Sequence, residues 1–174
     1  MPGNTLIKFS GIDKGESLQS THPGSAGWLE IGDWSWDIEA EASHLKGTGS
    51  AVGKPTPGTL SFSHYFDNSS TVIMDKIVNG THFDDVVIEM LKQTGTAKPQ
   101  VFFQIKVIQA FITKVSTKGG EDGAMNQDVE MVFKDIVVSY KPQDQDKGGL
   151  GATAYFKWNI PKMNDATDVK NFLG

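Results

Sequence analysis

The chain has 174 residues and a mass of 18.9 kDa, which is the usual size of a single domain with one substantial core. Hydrophobic residues make up 38% and charged residues 21%, which excludes a disordered chain, and the absence of cysteine excludes disulfides, thiolate catalysis and cysteine-ligated metals. The net charge is −5 and every basic residue is a lysine, which argues against nucleic acid as a partner because phosphate and guanine recognition depend on the guanidinium group.

The first half of the chain predicts strands joined by polar loops. A strand over residues 6–9 stops at Gly11, and a second runs from Trp28 towards Glu39. Alternation along the second strand places its apolar side chains on one face, namely Trp28, Trp34, Trp36 and Ile38. Three indoles on one face predict contact with the core. The opposite face is polar and carries Asp33, Ser35, Asp37 and Glu39.

Residues 40–58 form a glycine- and proline-rich stretch with little apolar periodicity, which predicts an extended loop. Long loops in compact domains are usually functional, so this segment is a candidate contact element. We expect its basic side chains, His44, Lys46 and Lys54, to take part in that contact.

The segment after this loop predicts a strand followed by the only convincing helix. Residues 60–66 alternate between large apolar and polar side chains. Asp67 to Ser70 carry short side-chain oxygens that suit a helix N-cap. The helix, predicted over residues 69–78, ends at Asn79-Gly80, which tolerate the left-handed cap conformation.

Strand patterns dominate the rest of the chain. Residues 85–92 form one strand, and residues 101–115 form a long one whose inward side is apolar: Val101, Phe103, Ile105, Val107, Phe111 and Val115. After the turn at 118–123, apolar residues occupy odd positions up to Phe133 and even positions from Ile136, which predicts a β-bulge between them. A last strand over 152–160 precedes a polar tail, residues 161–174.

These elements predict one mainly β domain over residues 1–174, either a β-barrel or a two-sheet sandwich, with one flanking α-helix. Neither a signal peptide nor a run of eighteen apolar residues is present, so we expect no membrane insertion and no signal-peptide route.

No group of residues in the sequence predicts catalysis. The four histidines, His22, His44, His64 and His82, lack the spacing of a metal pair, and the acidic residues between 121 and 130 do not match a calcium loop. A serine in a nucleophile elbow is also missing. We therefore expect no enzyme activity, no metal and no cofactor.

Several strings in fixed order resemble the Hcp family, the tube proteins of the bacterial type VI secretion system. They are Ile7-Lys8, Lys14-Gly15-Glu16-Ser17, Thr21-His22, Trp34-Ser35-Trp36, Leu60-Ser61-Phe62-Ser63-His64-Tyr65-Phe66-Asp67, Gly80-Thr81-His82-Phe83, Val115-Ser116-Thr117, Gly119-Gly120-Glu121-Asp122, Val138-Ser139-Tyr140-Lys141-Pro142-Gln143 and Trp158-Asn159-Ile160. Each string is weak alone, but the ordered set is specific and covers nearly the whole chain.

The resemblance implies a hexameric ring, with rings stacked into a hollow tube. Such a tube is expelled with the spike when the sheath contracts, and it carries effector proteins in its lumen. The expected partners are other copies of the chain, the spike and sheath proteins, and the effectors. The expected location is the bacterial cytoplasm and then, by type VI secretion, outside the cell. A ring needs two different patches that meet and close, and the sequence does not locate them.

The resemblance also assigns a role to Ser35, which matches an inward-facing, effector-contacting serine of the family. Asp33, Asp37 and Glu39 would then line the lumen beside it. The alternative function is a monomeric β-barrel that binds a small ligand in a pocket lined by Trp28, Trp34 and Trp36. The two functions differ in solution mass.

Overall fold

The computed structural model describes residues 4–43, 51–95, 97–144 and 148–163. Strands occupy most of these residues, and a single α-helix, α1, spans Asn68–Asn79. The strands are β1 Thr5–Phe9, β2 Trp28–Glu30, β3 Trp34–Ser35, β4 Ile38–Ser43, β5 Ala51–Pro57, β6 Leu60–Tyr65, β7 His82–Lys92, β8 Gln100–Gly119, β9 Met125–Val132, β10 Asp135–Tyr140 and β11 Ala154–Asn159. The prediction of a mainly β chain with one helix is confirmed.

Nine of the strands form one sheet that folds over itself into two layers. The main path runs β2-β1-β7-β8-β9-β6-β3, and β10 pairs with β8 while β11 lies outside β10. Strand β8 belongs to both layers, because its first part pairs with β7 and β10 and its last part with β9. The sheet does not close into a barrel, so the sandwich half of the fold prediction is the correct one.

The ends of this folded sheet approach each other at the link between β2 and β3. The Ile31 amide donates to the Thr5 carbonyl at 3.1 Å, and the Gly32 amide donates to the Ser63 carbonyl at 2.7 Å. These single bonds bridge β1 and β6 without forming a ladder. The predicted strand from Trp28 onward is therefore wrong as one element, since the chain leaves one edge of the sheet after Glu30 and joins the other edge at Trp34.

The core lies between the two layers and centres on three phenylalanines. The Phe9 ring lies 4.8 Å from that of Phe83 and 5.9 Å from that of Phe62, measured between centroids. Isoleucine, leucine and valine side chains from both layers surround them. Large aromatic groups in such contact contribute much of the burial that stabilises a domain of this size.

Strand β8 contains three irregularities that the sequence pattern did not predict in detail, the first of which is a register shift against β7 between Val101 and Phe103. Gln109 has a φ of 51°, a left-handed conformation that interrupts the pleat and changes the face of the following side chains. Ala110 and Ile112 are consequently buried, while Phe111 is 42% exposed. A register shift after Ile112 then returns Val115 to the core side. The inward assignment of Phe111 is wrong for this reason.

Near Lys134 the apolar residues switch from odd to even positions because one strand ends there and another begins. The predicted β-bulge within a single strand is therefore wrong. β9 ends at Val132 and β10 begins at Asp135. β9 pairs with β6 and β8, whereas β10 pairs with β8 and β11. Ile136 and Val137 are both buried, so apolar side chains point to both faces of β10. The pattern of apolar residues therefore does not indicate which face of β10 meets the core.

The helix begins and ends as the sequence predicts, one residue wider at each end. The Asp67 carboxylate accepts hydrogen bonds from the amides of Ser69 and Ser70, and the Ser70 hydroxyl accepts from the Asp67 amide. This capping box satisfies amides that have no partner within the helix. Gly80 closes the other end with a φ of 66°.

The predicted loop over residues 40–58 is wrong where the structure describes it. β4 and β5 form an antiparallel hairpin, with Ile38 opposite Pro57 and Ala40 opposite Pro55. The two prolines argued against strands, but they lie two residues apart and therefore place their missing N–H groups on the same, outer edge. Residues 44–50, and most of the predicted tail, lie outside the described residues.

Candidate functional site

Ser35 lies on a polar face of the sheet formed by β3, β6, β9 and the last part of β8. Its hydroxyl is exposed and hydrogen-bonded to that of Ser61 at 2.8 Å. The register continues the row, because Ser61 is opposite Glu130 and Glu130 is opposite Lys114. Directly opposed residues share a face, so a hydroxyl-and-charge row crosses four strands.

A second row runs beside the first. Ser63 is opposite Asp128, and Asp128 is opposite Ser116. Lys118, which lies two residues beyond Ser116 on the same face of β8, forms an ion pair with Asp128 at 3.0 Å. Together the two rows line an open hollow that also includes Asp33. The hollow carries hydroxyl groups and charges of both signs, which suits polar contact with another molecule and offers no buried apolar pocket.

The four acidic and hydroxyl residues predicted to share a face are divided by the structure. Asp33 and Ser35 line the same hollow, as expected. The break after Ser35 separates the others: Asp37 lies in the link to β4, and Glu39 lies in the hairpin, which is a separate sheet. All four are exposed. Alternation along one strand cannot be extended across such a break, which is why Asp37 and Glu39 do not join the Ser35 face.

The three indoles are divided in the same way. Trp34 stacks on Phe103 and Trp36 contacts Phe133 and Phe156, so both pack against the core as predicted. Trp28 instead lies opposite Lys8, whose ammonium is 5.9 Å from the indole centroid, and contacts the His22 ring. The core assignment of Trp28 is therefore wrong, and the three indoles do not line one pocket.

The hairpin of β4 and β5 extends from the sandwich beside this face. At its base the Gly58 amide donates to the Asp37 carbonyl at 2.8 Å. Apart from its own pairing, no other described element makes more than marginal contact with either strand. Lys54 is exposed on β5. His44 and Lys46, the other two residues predicted to make contacts here, lie outside the described residues.

The histidines in the described part of the chain have structural partners. His22 Nε2 lies 2.6 Å from Glu89 Oε2, and Gln104 donates to the other oxygen of that carboxylate. His64 Nε2 lies 2.7 Å from the Gln127 side-chain oxygen. No group of three or more metal-binding side chains occurs among the described residues. Within the described residues, no helix is long and apolar enough to cross a membrane.

The residues that sequence reasoning missed are the cross-strand neighbours of Ser35. Ser61 and Ser63 lie at polar positions of the alternation along residues 60–66, but nothing in the sequence links them to Glu130 or Lys114. The register of the strands brings these residues together, and it depends on pairing between distant segments.

Comparison with known proteins identifies the family. The family model described as "Type VI secretion system effector, Hcp" matches residues 6–140. The chain belongs to the Hcp family. Hcp1 of Pseudomonas aeruginosa is 30% identical over 162 residues, which cover 92% of this chain and 96% of that protein. The Hcp family consists of structural secreted proteins of type VI secretion and is not an enzyme family.

Solved structures support the fold. The structure described as that of a type six secretion system protein has a TM-score of 0.81 at 23% identity, covering 92% of this chain and 97% of that one. Hcp1 from Salmonella typhimurium has a TM-score of 0.74 at 24% identity, covering 95% of this chain and 99% of that one. The two-layer arrangement of this Hcp chain is thus that of its relatives.

Proposed function

We propose that this Hcp chain is a tube subunit of a type VI secretion system. Six copies close into a ring, rings stack into a hollow tube, and the tube is expelled with the spike when the sheath contracts. The protein acts first in the bacterial cytoplasm and then leaves the cell by type VI secretion. The observation that carries this proposal is the match of the family model across residues 6–140.

The proposal gives the polar face around Ser35 the role of contacting effector proteins inside the tube. Hydroxyl groups and charges of both signs favour weak, reversible contacts with several partners, because each hydrogen bond replaces one to water at little net gain. Exposed charges such as Asp33 need water or a partner, and a water-filled lumen supplies both. In this proposal Asp37 and Glu39 face the lumen near its edge, where the hairpin begins.

Solution mass tests the ring. Sedimentation equilibrium of the purified chain at micromolar concentration should give about six times the subunit mass of 18.9 kDa. A chain that remains monomeric throughout that range would contradict the proposal. That result would favour the alternative, a monomeric ligand-binding protein, although Trp28 does not share a pocket with Trp34 and Trp36.

Ser35→Gln tests the lumenal role. The larger side chain should leave ring mass unchanged, because Ser35 is exposed and outside the core, and should reduce co-purification of an effector. Ser20→Gln is a matched control on an exposed serine that lies outside the hollow. Equal effector retention by both variants and the unmodified chain would remove Ser35 from the proposed binding face.

We also propose that the hairpin of β4 and β5 contacts neighbouring subunits or stacked rings, with His44, Lys46 and Lys54 as the candidate contact residues. Its lack of support from the rest of the chain favours this role, since isolated two-stranded hairpins are marginally stable in water. Replacing residues 38–57 by a two-residue turn should abolish tube stacking, as seen by negative-stain electron microscopy. Tubes of normal length from this variant would contradict the role.

A further inference from the structure

A second hollow lies beside the first on the same polar face. It has a volume of about 510 Å³ and shares four lining residues with the first: Asp33, Ser63, Lys118 and Asp128. Tyr65 lines only this second hollow, which is called the Tyr65 hollow below. Alternate residues of β6 share a face, so Tyr65 follows Ser61 and Ser63 on the side that carries Ser35. The only large aromatic residue of this alternation that is not in the core therefore stands on the polar face.

The register of the strands places two carboxylates in the row next to Tyr65. The Ser63 amide donates to the Asp33 carbonyl at 2.9 Å, and Asp128 is opposite Ser63 on the other neighbouring strand. Ser63 and Tyr65 are two residues apart along β6, which is a separation of about 7 Å. One long side chain lying along β6 therefore spans the distance between the carboxylates and the aromatic ring.

The Tyr65 hollow carries an excess of negative charge. Its charged side chains are the carboxylates of Glu30, Asp33 and Asp128 and the ammonium of Lys118, which give a formal net charge of −2. The one ammonium is already paired with Asp128 at 3.0 Å. Within the described part of the chain, no hydrogen bond or ion pair holds the exposed Asp33 carboxylate. A concave surface of this sign concentrates positively charged partners.

The aromatic ring narrows the choice of cation. Tyr65 is 76% exposed, and the face of an aromatic ring attracts a cation placed over it. Arginine suits both parts of the hollow, because its planar guanidinium stacks on aromatic rings and pairs with a carboxylate through two parallel hydrogen bonds. Its aliphatic stem also covers apolar surface. The chain itself contains no arginine, so another copy of it cannot supply this group.

We infer that the Tyr65 hollow binds an arginine side chain of a cargo protein, with the guanidinium at the Asp33 carboxylate and the stem along the Tyr65 ring. This inference rests on the proposed function and adds a chemical preference to it, namely cargo with exposed arginine. In a ring the hollow is repeated around the lumen. Several arginines of one cargo protein then bind together, and individually weak contacts add up.

Binding of a fluorescein-labelled hexa-arginine peptide to the purified chain tests the inference by fluorescence anisotropy. The matched probe is the same peptide with citrulline at every arginine position, since citrulline keeps the shape of arginine and lacks its charge. Only the arginine peptide should bind, and its affinity should fall between about 0.1 M and about 1 M salt because exposed charges are screened. Equal binding of the two peptides, or no binding of either, would overturn the inference.

Substitutions in the hollow separate a site from general attraction to an acidic protein. Asp33→Asn and Tyr65→Ala should each raise the Kd of the arginine peptide about fivefold. Tyr65→Phe keeps the ring and should bind like the unmodified chain. Asp84→Asn is the charge control, because the Asp84 side chain is 89% exposed and lies outside the hollow. If Asp84→Asn weakens binding as much as Asp33→Asn does, net charge alone binds the peptide and the inference is wrong.

Sedimentation equilibrium of the same variants keeps this inference apart from the proposed function. Asp33 and Tyr65 are exposed and outside the core, so their variants should have the mass of the unmodified chain. The hollow lies within one subunit, so peptide binding is measurable on a ring or on a monomer. A monomer that binds the arginine peptide through Asp33 and Tyr65 would contradict the tube and retain the site. A ring whose hollow variants all bind equally would retain the tube and contradict the site.

Discussion

The sandwich and its hairpin are both built from antiparallel strands, but they are stabilised in different ways. In the sandwich, strands such as β1 and β6 place alternate side chains in a core shared by both layers. The part of the hairpin whose side chains are described has no such core, because Ala40, Lys54 and Thr56 are exposed and Ile38 is 43% exposed. Backbone pairing is thus enough to define a strand, but burial is what stabilises it.

The sandwich and the hairpin also present two different kinds of surface to a partner. The polar face around Ser35 stands on a layer whose other side is core, so its side chains are held in fixed rows by the strands beneath. The hairpin offers backbone groups along an edge instead. We expect the first surface to tolerate substitution without loss of fold, and the second to depend on the partner that covers it.

The largest effect on stability is expected from the centre of the sandwich. Phe9 is fully buried between Phe62 and Phe83, so Phe9→Ala leaves a cavity and should lower the free energy of unfolding by about 3 to 5 kcal/mol. Ile38→Ala in the hairpin is the control and should cost less than about 1 kcal/mol. Urea denaturation of dilute monomer measures both. Similar losses from the two variants would contradict the contrast between the regions.

An intermediate effect is expected at the helix cap, whose contacts are local. Asp67→Ala should lower the free energy of unfolding by about 1 kcal/mol, because two amides of the first turn lose their acceptor. Asp67→Asn is the matched control and should cost less, since asparagine also caps helices. Urea denaturation near neutral pH compares them, and an equal loss from both would show that the charge and not the cap matters.

The contribution of Asp67 should also depend on pH. Partial burial opposes ionisation of its carboxyl group, but interactions with His64 and Ser69 outweigh burial and hold the pKa below the ordinary value of 3.8. A carboxyl group with a lowered pKa stabilises the fold above 3.8, and this stabilisation is lost as the pH falls through the folded-state value. The difference between the unmodified chain and Asp67→Asn should therefore shrink below pH 3.8. A difference that grows on acidification would contradict the assignment.

The smallest effect on the monomer is expected from removing the hairpin. Because Asp37 and Gly58 form a bonded pair, a two-residue Asn-Gly turn can replace residues 38–57 without moving them apart. The free energy of unfolding of dilute monomer should change by less than about 0.5 kcal/mol, since none of the described side chains of residues 38–57 belongs to the core. A loss above about 2 kcal/mol would mean that the hairpin supports the sandwich after all.

The sequence by itself determined the features that depend on neighbouring residues. Alternation along residues 60–66 identified which side chains of β6 are buried, and the capping residues around Asp67 and Gly80 located the helix within one residue at each end. The relation of Trp34 to Ser35 also followed, because adjacent residues in a strand must point to opposite faces. The resemblance to the Hcp family was likewise contained in the sequence, because it rests on short strings of neighbouring residues and on their order along the chain.

Only the tertiary structure decided the features that depend on pairing between distant segments. The crossing between Glu30 and Trp34 separated Trp28 from the other indoles, and the left-handed Gln109 turned Phe111 outward. The row from Ser35 to Lys114 exists because strands distant in sequence share one register. A side-chain pattern determines the faces of a strand, but the strand's neighbours are chosen by the burial of the whole core, which no local pattern contains.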